Sequence, residues 1–127
     1  MKRYRDAEHY YMKALEHADT LYLLNQKAYA VYLGNTLINV GNLFININRY
    51  NDAKQNLQRA FPIIETLYKR SPDAFRVNFL SANIALGDVH IFFKEYIEAE
   101  PFVLRALDLS KENKGAFAHE YFFRSKT

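Results

Sequence analysis

The chain repeats itself every 46 residues, which restricts it to folds built from one small unit stacked several times. A shift of 46 brings Arg3-Tyr4-Arg5-Asp6-Ala7 onto Arg49-Tyr50-Asn51-Asp52-Ala53, Ala14 onto Ala60, and Thr20-Leu21-Tyr22 onto Thr66-Leu67-Tyr68. A second shift carries Tyr50 to Tyr96, Ala53 to Ala99, Arg59 to Arg105 and Ala60 to Ala106. Gly41 falls on Gly87 and Ala28 on Ala74. The matches run through three copies without a gap.

Each unit carries two helical patterns. Leu33, Leu37, Val40 and Phe44 recur at spacings of four, three and four, which places them on one helical face between about Lys27 and Ile47. Ala53, Leu57, Ala60, Ile64 and Leu67 do the same between Tyr50 and about Lys69. The short Asn48-Arg49-Tyr50 connection makes the two helices antiparallel neighbours, and Asn48 suits a turn because Asn tolerates positive φ. Ser71-Pro72-Asp73 reads as a helix start, with Ser71 as N-cap and Pro72 in the first turn. That helix runs to about Phe93, and the next from Tyr96 to about Glu112. Asn113-Lys114-Gly115 is expected to end it, leaving a last helix from Ala116 to about Arg124. With the first helix, near Lys2 to Leu24, the count is six. Pro62 is expected to bend its helix, and Pro101 leaves room for its helix to begin later than Tyr96. The chain divides as one repeat domain: 1–25 a half repeat, 26–71 and 72–114 full repeats, 115–127 a truncated half.

Composition supports helices, because four Gly and three Pro are few turn residues for a β-rich chain of 127 residues. The absence of Cys excludes disulfides, thiolate metal sites and cysteine nucleophiles. A net charge of +3 is spread among acidic residues rather than gathered into a phosphate-binding stripe, so nucleic acid is not an expected partner. Met1-Lys2-Arg3-Tyr4-Arg5-Asp6 has no apolar run behind it as a signal peptide would, and no stretch approaches a membrane span. A cytoplasmic location is the expectation.

These residues resemble the tetratricopeptide repeats. Leu37, Val40-Gly41 and Phe44, followed by Tyr50, Ala53, Leu57 and Ala60, look like one such unit. Leu86-Gly87, His90, Tyr96, Ala99, Val103 and Ala106 look like a second, and Tyr4, Ala7, Tyr11 and Ala14 like the partner helix of a first. The period is longer than the usual 34 or so residues, as in long-period relatives from large bacterial signalling proteins. The resemblance implies an all-α fold of helical-hairpin repeats stacked as an α-solenoid. It also implies a protein-binding scaffold, with a peptide or partner protein held in a concave groove lined by the first helix of each pair. No recognisable polar cap closes either end, which implies a piece of a larger repeat protein, or ends (the last with Phe117, Tyr121, Phe122 and Phe123) that pair between copies. The alternative function is therefore an oligomerisation or spacer module assembling through terminal helices.

On the helix from Lys27 to Ile47, Asn35, Asn39, Asn42 and Asn46 form a stripe opposite Leu37, Val40 and Phe44. The alternative is a solvated face, since Asn is common elsewhere in the chain, but Asn costs a helix about 0.6 kcal/mol relative to Ala, and a face needing only solubility would more cheaply hold Glu, Lys or Gln. Asn pairs both donors and acceptors with a peptide backbone, and the stripe spans roughly 16 Å, about five extended residues. One repeat later the face holds Ser81, Ala85, Asp88 and Phe92, where Phe92 either anchors an apolar ligand group or packs on the next helix. His9, His17, His90 and His119 have no metal-ligand spacing, and His90, at the place of Phe44, reads as a packed histidine. Glu95, Glu98 and Glu100 read as a solvated face. No catalytic set, cofactor or metal is expected.

Overall fold

The computed structural model describes residues 2–126, with side chains placed over residues 3–111. It contains five helices and, among the described residues, no strand: α1 (Lys2–Leu24), α2 (Gln26–Asn46), α3 (Tyr50–Arg70), α4 (Pro72–Phe92) and α5 (Tyr96–Lys126). The 46-residue period carries over into these bounds. It takes both ends of α2 onto those of α4, and the start of α3 onto the start of α5.

The turns repeat as closely as the helices. Asn48 has φ 63° and Lys94 φ 60°. The Arg49 N–H donates to the Phe44 carbonyl at 2.8 Å and the Asn48 N–H to the Ile45 carbonyl at 3.0 Å. Glu95 donates to His90 at 2.8 Å and Lys94 to Ile91 at 2.9 Å. Each is a left-handed residue closing a helix with a six-to-one and a five-to-two bond, which satisfies carbonyls the helix end would otherwise strand. Asn48 meets the sequence expectation. Lys94 adopts the same conformation with a side chain that gains less from it.

Single residues connect the repeats. Asn25 is extended and its side chain accepts from the Ala28 N–H at 3.0 Å, capping α2. Ser71 precedes Pro72 as expected, but its side chain makes no cap hydrogen bond. α3 runs unbroken through Pro62 and α5 through Pro101, so α5 begins at Tyr96 and not later. Among the described residues, Phe75 in α4 is an interior residue with non-helical angles.

Two expectations are corrected at the C-terminal end. Among the described residues there are five helices instead of six, because α5 continues through Asn113-Lys114-Gly115. A single Gly costs a helix only about 1 kcal/mol relative to Ala, and no Pro follows to stop the chain. The side chains of Phe117, Tyr121, Phe122 and Phe123 lie outside the described residues, as does His119.

Each helix packs on its sequence neighbours, and α2 also meets α4. Leu33, Leu37, Val40 and Phe44 of α2 are buried with Leu57, Ala60 and Ile64 of α3, confirming the stripes read from spacing. One contiguous core continues through Phe79, Ala82, Leu86 and Val89 of α4 to Leu109 of α5. Close approach rests on glycine: a Cβ on Gly41 would stand 2.5 Å from Leu57 Cγ, and one on Gly34 2.6 Å from Ile64 Cδ1. Burial of this connected apolar surface drives the packing.

Candidate functional site

The meeting of α2 with α4 creates a groove of about 270 Å³ lined by Asn35, Ile38, Asn39, Val77, Asn78 and Ser81. The helices bring these together because their deep faces are committed to the core, leaving the next strip of each surface to form the walls. Asn78 Nδ2 donates to Asn35 Oδ1 at 2.6 Å, tying the two walls. Val77 is 67% exposed on the rim and Ile84 47% exposed one turn beyond Ser81. The groove therefore offers amides and a hydroxyl beside uncovered apolar carbon.

Three of the seven expected site residues, Asn35, Asn39 and Ser81, line this groove. Asn42 is half-buried and Asn46 exposed, and neither lines it. Asp88 is exposed as a residue, yet the surrounding protein strips enough water to push its carboxyl above the usual range. Phe92 belongs to a second depression of about 360 Å³ with Asn48, Arg49, Tyr50, Asn51, Asp52 and Phe93. It stacks flat on Tyr50, centroids 3.7 Å apart, and keeps 54% of its surface exposed. Phe92 thus packs on the preceding helix α3 and not on the next one.

Spacing located the α4 face one residue out of phase. The expected row passed from Ser81 through Ala85 to Asp88 and Phe92, but Ala85 is buried. The open row is Val77, Ser81, Ile84 and Asp88, again at intervals of four, three and four. Val77 was missed because the expected row began at Ser81, and Asn78 because it lies beside the row and not on it. The available signal was that Val77 lies four residues before Ser81 and begins a stripe outside the core set of Phe79, Ala82 and Leu86.

No family model, curated protein or solved structure matches this chain. The chemistry of the surface must therefore be read from its own groups. Among the described residues no group of three or more His, Asp or Glu is placed to hold a metal, and no helix is long and apolar enough to cross a membrane.

Two clusters tie α4 to α3 and α5. Asn83 occupies the register of Leu37 and is fully buried; its Nδ2 donates to the Phe79 carbonyl at 2.7 Å, and Arg105 donates to its Oδ1 at 2.9 Å. The Arg105 guanidinium lies 5.6 Å from the Phe61 ring centre, so α3, α4 and α5 meet around one cation. His90 is buried, as expected, and stacks on Phe102 with its Nδ1 3.0 Å from Glu95 Oε1. Glu95 also accepts from Lys54 at 2.9 and 3.1 Å, so it is no solvated bystander. Glu98 and Glu100 are exposed.

Proposed function

We propose that this chain is a protein-interaction scaffold whose α2/α4 groove holds an extended peptide segment of a partner. The observation that carries this reading is the lining itself: Asn35, Asn39, Asn78 and Ser81 set around Ile38 and the exposed Val77. The bond between Asn78 and Asn35 uses one donor and one acceptor. The remaining amide donors and oxygens pair with a peptide backbone whatever its sequence, while Ile38 and Val77 select an apolar side chain. We assign the fold to a long-period tetratricopeptide-like α-solenoid working in the cytoplasm. The support is the shared register of helices, turns and glycines. Binding without catalysis fits a surface of amides and aliphatic carbon.

Panning the full chain against a displayed library of random dodecapeptides tests this. Enriched peptides are expected to compete with one another and to lose about tenfold in affinity, or roughly 1.4 kcal/mol, on Val77→Asp, with a smaller loss on Asn39→Ala. Both positions are exposed, so circular dichroism should be unchanged. Failure to enrich any peptide, or binders indifferent to both substitutions, would sink the groove reading.

A second reading, assembly through the end helices, is favoured by the exposed Leu23 and Leu24 of α1 and Ile97 and Leu104 of α5. Sedimentation over a range of concentrations measures it: growth in mass supports assembly, and a constant monomer removes it.

A further inference from the structure

One face of α3 is a docking stripe made of Tyr50, Lys54, Leu57 and Phe61. Tyr50 stacks on Phe92, Lys54 bridges to Glu95, and Phe61 meets Phe79 at 5.7 Å, all on the following hairpin or its turn. Leu57 is fully buried. The matching stripe on α1 is Tyr4, Glu8, Tyr11 and Leu15, where Glu8 pairs with Arg49 of the following turn and Leu15 is buried. Glu8 and Lys54 stand 46 residues apart, as do Arg49 and Glu95. The two bridges are one junction with its polarity reversed.

α5 carries the stripe a third time as Tyr96, Glu100, Val103 and Leu107. Here it is uncovered: Val103 is 42% exposed and Leu107 48%, although Val103 touches the Gly87 position of its own hairpin as Leu57 touches Gly41. The chemistry follows α1 in three of four places, with Tyr, Glu and Leu. In both occupied junctions the stripe charge is met by the opposite charge, so Glu100 selects a cation. The covering helix runs antiparallel, because α2 follows α1 and α4 follows α3 through single residues. A second rigid copy does not supply it, since α2 and α4 are each already packed on the helix before them.

We propose that this face of α5 binds a helix of a partner protein that is amphipathic, antiparallel to α5, and followed at its third residue by Lys or Arg pairing with Glu100. The third position is where Arg49 stands after Asn46 and Glu95 after Phe92. Tyr96 offers the ring on which an aromatic at the end of that helix stacks, as Phe92 stacks on Tyr50.

A labelled synthetic peptide of residues 26–51, carrying Arg49, is a probe with the required pattern, and its anisotropy is followed as the full chain is added. Saturable binding is expected. Glu100→Lys weakens it about fivefold, in keeping with an exposed ion pair turned repulsive, and an Arg49→Glu peptide recovers affinity for that variant alone. Leu107→Asp weakens it at least about tenfold with circular dichroism unchanged. Val77→Asp in the α2/α4 groove leaves it unaltered, so failure of the groove reading and failure here are distinguishable. Three results overturn the proposal. One is no saturable binding to the native chain; another is sensitivity to Glu8→Lys but not to Glu100→Lys, which puts the peptide on α1. The third is self-association abolished by Leu107→Asp and competed by the peptide, which makes a second copy the occupant.

Discussion

Glu95 joins three parts of the molecule through one carboxylate. It ends the α4/α5 turn, receives Lys54 from α3, and faces His90 of α4. The Lys54 hydrogen bond first, and His90 second, hold its carboxyl below the usual carboxylate range. A carboxyl whose folded value is depressed stabilises the fold above its unfolded value and loses that contribution as pH falls through the folded one. Urea midpoints of the native chain and Glu95→Gln should therefore differ near pH 6 and draw together as pH falls below the usual carboxylate range. A gap undiminished across the acid range would show that the charge is not what matters there. The packed state of His90 was legible because the repeat aligns it with Phe44. The role of Glu95 was not, because its partner Lys54 lies 41 residues away and an isolated Glu pattern reads as solvent-facing. Asn83 was equally hidden. Composition makes Asn commonplace here, and only the alignment with Leu37 marks it as a polar group at a core position.

At the scale of the helix, two glycines at the same place in successive repeats meet different surroundings. Gly41 faces the fully buried Leu57, whose Cγ would lie 2.5 Å from an added Cβ. Gly87 faces Val103, whose Cγ2 would lie 3.1 Å away and whose side chain has open space to yield. Gly41→Ala should destabilise by about 1–3 kcal/mol through overpacking. Gly87→Ala should be neutral or stabilising by up to about 1 kcal/mol, because helix propensity outweighs a small shift. Denaturant unfolding of both variants decides it, and equal losses would contradict the distinction. Helix starts and turns were legible because Asn48, Pro72 and the apolar periods are local signals. The C-terminal count failed because Asn-Lys-Gly discourages a helix without forbidding it.

For the whole molecule, packing in sequence order gives each helix few neighbours and the ends fewest. α1 packs on α2, reaches α3 through the Asp19–Arg59 ion pair, and buries Leu15 and Ala18, whereas α2 buries nine residues between α1, α3 and α4. Native-state hydrogen exchange should find α1 opening at least about 1 kcal/mol more readily than α2, and identical protection would mean that all five helices unfold as one. Half of the groove was legible, since α2 was phased correctly by its core residues. The α4 wall was not, because Ala85 fits a core or a surface equally well and its burial depends on neighbours far along the chain. The reversed polarity of the two junctions also dictates how the protein could be lengthened. Copying the hairpin 26–71 in tandem would set Arg49 of the inserted copy against Lys54 of the one before, ammonium facing guanidinium. Copying 50–95 instead keeps Lys54 and Glu95 in the same cassette, so the seam for splicing lies at the left-handed turns and not at the single-residue links between hairpins.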